Sequence, residues 1–67
     1  MIEQRYLGKQ IKLTDIDGRC WQGEVDGIIS EWDSDSGERE LLLAVGSGLV
    51  EFKESEIAAI EEQTDTV

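Results

Sequence analysis

Hydrophobic and polar positions alternate with a period of two over most of the chain, the signature of half-buried strands. Ile11 and Leu13 alternate with Lys12 and Thr14, giving a first strand near residues 9–16. Asp17-Gly18 then reads as a two-residue type I′ hairpin turn, which needs positive φ at both central positions. The next strand, residues 19–32, places Trp21, Gly23 and Val25 on one face and Cys20, Gln22 and Glu24 on the other. Its phase slips where Ile28 follows Asp26-Gly27, so a bulge is expected there, with glycine supplying left-handed backbone. Gly23 and Gly27 together allow the bend by which one strand serves both halves of a small barrel.

Asp33-Ser34-Asp35-Ser36-Gly37 reads as a polar hairpin connection. A third strand, residues 39–45, is apolar on both faces (Leu41, Leu43 and Val45 against Leu42 and Ala44), as a central strand would be. Gly46-Ser47-Gly48 turns the chain into a fourth strand at 49–53, with Val50 and Phe52 inward. Glu54-Ser55-Glu56 suits a short 3₁₀ turn. Residues 57–61 suit either a closing strand or one face of a helix capped by Ser55. The expected core is Ile11, Leu13, Trp21, Val25, Leu41, Leu43, Val50, Phe52 and Ile60. The whole forms one all-β domain over residues 1–67, a small bent five-stranded antiparallel barrel with residues 62–67 as a frayed tail. A short N-terminal helix or a terminal helical turn is compatible with it.

The run Leu7-Gly8-Lys9, Ile11, Leu13, Asp17-Gly18, Gly23-Glu24-Val25 resembles the opening motif of Sm-like small barrels, and Phe52 through Ile60 resembles that family's last turn and strand. Gly-x-x-x-x-Gly-x-Val is shared with Src-homology-type (SH3-like), Tudor-like and PRC-like barrels, so architecture is better specified than family. The resemblance implies five bent antiparallel strands after a short helix or extension. It does not carry over the RNA site. The positions of the family's Asp and Asn fall on Ile29 and Asp33, and Val45-Gly46 lacks the cation of the family's later motif.

Charge sharpens this. Six basic residues against sixteen acidic ones give a net charge of −10. Residues 1–20 sum to +1 and residues 21–67 to −11. Such a surface repels a polyanion, removing the counterion-release contribution on which nucleic-acid affinity rests, so direct nucleic-acid binding is not expected. It suits either solubility or docking of a basic protein partner.

Candidate chemistry is sparse. The chain has no His, which removes the usual neutral-pH general base and the Ser-His and Cys-His nucleophile pairs. Cys20 is the sole cysteine and has no partner for an intrachain disulfide or a zinc site. The acidic loop at 33–37 has Gly37 where an EF-hand needs a ligand, so a solvated hairpin is preferred to a Ca²⁺ loop. No carboxylate pair lies beside a substrate-positioning motif, and no catalytic residue, cofactor or metal is assigned. Thr64-Asp65-Thr66-Val67 has the form of a PDZ-binding tail, for which coincidence is the simpler reading. No signal peptide or membrane-spanning run is visible, and a cytoplasmic location is expected.

Trp32, at the end of the long strand, either caps the core or stands exposed as a contact anchor. Glu31, Trp32, Asp33, Asp35, Glu38 and Glu40 form the candidate partner-binding set. The expected function is a non-enzymatic interaction module or adaptor with an acidic surface. The alternatives are a DNA-mimicking inhibitor of a nucleic-acid-binding protein and, third, a degenerate Sm-like nucleic-acid-binding barrel. Negative charge crowding strands four and five (Glu51, Glu54, Glu56, Glu61, Glu62) argues for a monomer or weak dimer over a closed ring.

Overall fold

A computed structural model describes residues 1–63; the terminal tetrapeptide at 64–67, and with it the PDZ-like motif, lies outside the described residues. Five antiparallel strands follow one another: β1 (Gln10–Asp15), β2 (Cys20–Ile29), β3 (Glu40–Val45), β4 (Gly48–Lys53) and β5 (Ile57–Glu62). Single 3₁₀ turns precede β1 (Gln4–Tyr6) and β5 (Glu54–Glu56). The sheet order is β4-β3-β2-β1-β5, with β4 and β5 as its edges. It is bent but not closed, so "barrel" describes its curvature and not its hydrogen bonding. Residues 57–62 settle as strand, paired with β1 through Leu13↔Ile60 and Lys12↔Glu61.

The bend has a steric origin. Gly23 sits opposite Ile11, where the Ala44 carbonyl of β3 presses onto β2; a Cβ at Gly23 would collide with that oxygen. The expected bulge is present, the β2–β3 register shifting between Val25 and Gly27. Its glycine is used differently from the sequence expectation. Gly27 does not adopt positive φ; it makes room for Leu42, whose Cδ1 would lie 3.2 Å from an added Cβ.

The β1–β2 connection also departs from expectation. Only Gly18 has positive φ, at 86°, and Asp17 does not. The loop is therefore three residues long (Ile16, Asp17, Gly18), closed by Asp15 N–H to the Arg19 carbonyl at 2.9 Å and Gly18 N–H to the Asp15 carbonyl at 3.0 Å. A type I turn followed by one left-handed glycine is the three-residue alternative to the type I′ hairpin. Asp15 selects it: its Oδ1 accepts the N–H groups of Asp17 and Arg19, both at 2.9 Å, and its Oδ2 accepts Trp21 Nε1–H at 3.0 Å.

The core comprises Ile2, Tyr6, Ile11, Leu13, Val25, Leu41, Leu43, Phe52 and Ile57. Trp21, Ile28, Val45, Val50 and Ile60 pack against it, half-buried. The Trp21 ring meets Phe52 edge-on with centroids 5.4 Å apart, a preferred aromatic geometry. Ile2 and Tyr6 were not expected inside. They are four residues apart around the first 3₁₀ turn, which folds across the end of the sheet. Gly8 N–H to the Val25 carbonyl and Val25 N–H to the Lys9 carbonyl, each 2.9 Å, tie the segment to β2. Ile2 is anchored on both sides, its N–H to Glu54 Oε2 at 3.0 Å and its carbonyl to Arg39 at 2.8 Å.

Candidate functional site

The expected contact segment occupies the long β2–β3 connection, residues 30–39. β2 ends at Ile29, three residues earlier than its hydrophobic pattern suggests. Ser30 reverses the chain there: its carbonyl accepts the N–H groups of Asp33 at 3.1 Å and Ser34 at 3.0 Å, and its hydroxyl donates to Asp33 Oδ2 at 3.1 Å. Trp32 is thereby lifted off the sheet and is 88% exposed, the most exposed large hydrophobic side chain among the described residues. It does not cap the core. A bare indole flanked in sequence by Glu31 and Asp33 is the distinctive feature of this surface, since large aromatic side chains are ordinarily well buried.

The six candidate residues separate into three kinds. Trp32, Asp33 and Asp35 are exposed at the loop crest. Glu31 and Glu38 are half-buried and already engaged. Glu31 lies 3.8 Å from Arg39 Nε, while Glu38 accepts the Ser55 N–H at 2.8 Å and the Ser55 hydroxyl at 3.0 Å, docking the loop on the second 3₁₀ turn. Glu40 is buried, 5% exposed, and accepts the Ser36 hydroxyl at 2.6 Å. It is therefore withdrawn from the set that a partner reaches. It shares a face of β3 with Leu42 and Ala44, and the returning loop covers it through Ser36.

Behind the loop crest is a recess of about 380 Å³ whose lining includes Asp33, Asp35, Ser36, Glu40, Glu51 and Lys53. It lies over the outer face of β3 and β4, where Glu40 is opposite Lys53 and Leu42 opposite Glu51. Glu51 consequently holds its proton to higher pH than an ordinary glutamate. The largest cause is the charge of Glu40, followed by partial desolvation and the Glu40 hydrogen bond, with Asp35 adding and Lys53 opposing. Nothing in the linear order marks this pair, because two glutamates eleven positions apart meet only once the β3–β4 register is known.

A carboxyl whose folded pKa is raised adds stability in acid that is lost as pH rises through the folded value. At neutral pH Glu51 is therefore a burden. Glu51→Gln is expected to raise the thermal midpoint at pH 7 and low salt by roughly 2–5 °C, a modest cross-strand charge effect in a domain of this size. The gain should shrink with added salt and disappear below about pH 4, where wild-type Glu51 is protonated. Thermal melts across pH check both trends, and a variant less stable than wild type at pH 7 contradicts them.

Other perturbed acids are structural. Asp15 is held below the ordinary aspartate range, first by the Trp21 indole N–H and then by the Arg19 and Asp17 amides. Glu54 is lowered chiefly by the Ile2 N–H, and Glu3 by Arg5. Cys20 is exposed and lies 3.8 Å from the Thr14 hydroxyl. Among the described residues no group of three or more His, Cys, Asp or Glu side chains is placed to hold a metal ion, and no helix is long and apolar enough to cross a membrane. No family model, curated protein or solved structure matches the chain.

Proposed function

We propose that this protein is a non-enzymatic interaction module that docks a basic protein partner on the crest of the β2–β3 loop. The exposure of Trp32 carries the reading. Exposing an indole that the core could have taken is unfavourable in isolation, and Asp33 and Asp35 beside it supply charge that steers a cationic surface. The two parts act at different stages. Long-range charge governs the rate of encounter, and the aromatic anchor governs how long the complex lasts. The loop is held for this purpose by Ser30, by Ser34, whose hydroxyl donates to the Glu38 carbonyl, and by the Glu38–Ser55 contacts.

The strand order and the 3₁₀ turn before the last strand also support kinship with Sm-like or SH3-like barrels. Direct nucleic-acid binding is not part of the proposal, because the acidic surface opposes it. The chain acts as a monomer or weak dimer in this reading, and a cytoplasmic setting suits its single exposed thiol. Light scattering giving a stable closed ring would overturn the assembly state.

Asp33→Asn with Asp35→Asn is expected to slow association several-fold at low salt and to flatten its salt dependence, as removal of steering charges does. Trp32→Ala is expected to accelerate dissociation by about tenfold or more, the usual effect of truncating an aromatic anchor. Surface-plasmon kinetics against a captured basic partner measure both. If neither rate changes while circular dichroism shows an intact fold, the loop is a solubilising surface only. A captured nucleic-acid-binding protein whose DNA site competes with this chain would instead favour the DNA-mimic alternative.

A further inference from the structure

We infer that the free edge of β4 accepts an extended lysine- or arginine-bearing segment of that basic partner as an added antiparallel strand. The inference rests on the basic-partner reading but uses a different surface. Glu54 N–H bonds to the Arg39 carbonyl at 2.9 Å, and residues 39 and 54 continue the register in which Glu40 faces Lys53. Alternation along an antiparallel ladder then points the backbone groups of Val50 and Phe52 toward β3 and those of Leu49, Glu51 and Lys53 outward. The Lys53 N–H is already taken by Glu56 Oε1 at 2.9 Å. Leu49 and Glu51 thus present adjacent, outward donor and acceptor sets on an edge strand, the arrangement that strand addition uses.

Charge selects the occupant. In antiparallel addition, the residue facing Glu51 exchanges both backbone bonds with it and projects its side chain on the same face. That face carries Glu51 and opens on the recess lined by Asp35 and buried Glu40, with Lys53 as its one cation. A long cationic side chain there relieves the repulsion between Glu40 and Glu51. The opposite edge differs. On β5 the outward groups are those of Ile60 and Glu62, and the Glu62 carboxylate is already paired with Arg5 at 2.8 Å. The β4 edge is the one that opens on this acid-lined recess.

The test uses a short acetylated peptide of alternating lysine and valine, with amide hydrogen exchange followed by NMR on the intact protein. Saturating peptide is expected to slow exchange of the Leu49 and Glu51 amides by about tenfold or more, as pairing of an open edge does. A peptide with glutamate in place of lysine should not. N-methylation of the lysine amides should abolish the protection, and N-methylation of the valine amides should leave it. Glu51→Lys should weaken binding about fivefold or more.

Several results overturn the inference: unprotected Leu49 and Glu51 amides, protection at Ile60 and Glu62 instead, indifference to lysine N-methylation, or protection that grows with protein concentration when no peptide is present. Trp32→Ala separates the two surfaces. Protection that persists in that variant supports the β4 edge independently of the loop. Binding that disappears in it, with Leu49 and Glu51 unprotected in the wild type, assigns the peptide to the loop and rejects the edge.

Discussion

Gly23→Ala is expected to cost this domain about 3 kcal/mol or more, the upper end of overpacking effects. A domain of this length holds roughly 3–10 kcal/mol in total, so the variant is expected to lose a large share of its stability and to unfold at much lower urea than wild type. The neighbour that a methyl group would meet is the Ala44 carbonyl, a backbone atom fixed in the β2–β3 ladder and unable to turn aside. Accommodating it means separating β2 from β3 at the bend. Gly27→Ala is a graded control, because the Leu42 side chain that it meets at 3.2 Å can rotate; about 1 kcal/mol is expected. Gly48→Ala, with open space around it, should fall within about 0.5 kcal/mol of wild type. Urea titrations of the three variants give the order directly. A Gly23→Ala protein as stable as Gly48→Ala would show that the bend does not depend on this contact.

Asp15→Asn is expected to lower the thermal midpoint at pH 7 by roughly 10 °C, from the loss of charge-assisted hydrogen bonds in a small domain. One carboxylate joins three donors (the Asp17 and Arg19 amides and the Trp21 indole), so the substitution weakens the β1–β2 turn and the seat of a core aromatic ring together. The asparagine amide keeps one acceptor and directs its NH₂ at a donor. The pH dependence identifies the cause. Asp15 is ionised more readily in the folded chain than in the unfolded one. Its contribution is therefore complete above the unfolded aspartate value near 3.9 and is lost as pH falls through the lower folded value. The gap between wild type and variant should be constant from pH 5 to 7 and should close in stronger acid. A gap unchanged at pH 2 would mean that the asparagine acts through packing alone.

These two substitutions also mark where the sequence was legible. Strand positions, the Asp26-Gly27 bulge and the inward faces of β1, β3 and β4 follow from local alternation, which needs no knowledge of partners. Gly23 was recognisable as a bend for the same reason. Asp15 was not distinguishable from other acids, because its role depends on a turn type that Asp17-Gly18 left ambiguous and on a ring six residues away. Ile2 and Tyr6 form no repeating pattern, and they become core only when the first 3₁₀ turn crosses the sheet end. On the candidate surface, the loop and its exposed tryptophan were within reach of the sequence. The burial of Glu40 was not, because it depends on the β2–β3 loop folding back until Ser36 reaches its carboxylate.

The two tryptophans give the protein a pair of optically separate reporters. Trp21, bonded to Asp15 and packed on Phe52, has an emission governed by the state of the core, and its indole proton should resonate apart from that of a solvated ring. Trp32 faces water and is open to a neutral quencher such as acrylamide, while iodide should be held off by the carboxylates around it. Caesium, drawn to the same carboxylates, should quench it more efficiently than a free indole in solution. A partner seated on the loop would shield Trp32 and leave Trp21 unchanged, whereas unfolding would bring the two signals together. Binding and stability can thus be read from one unlabelled sample.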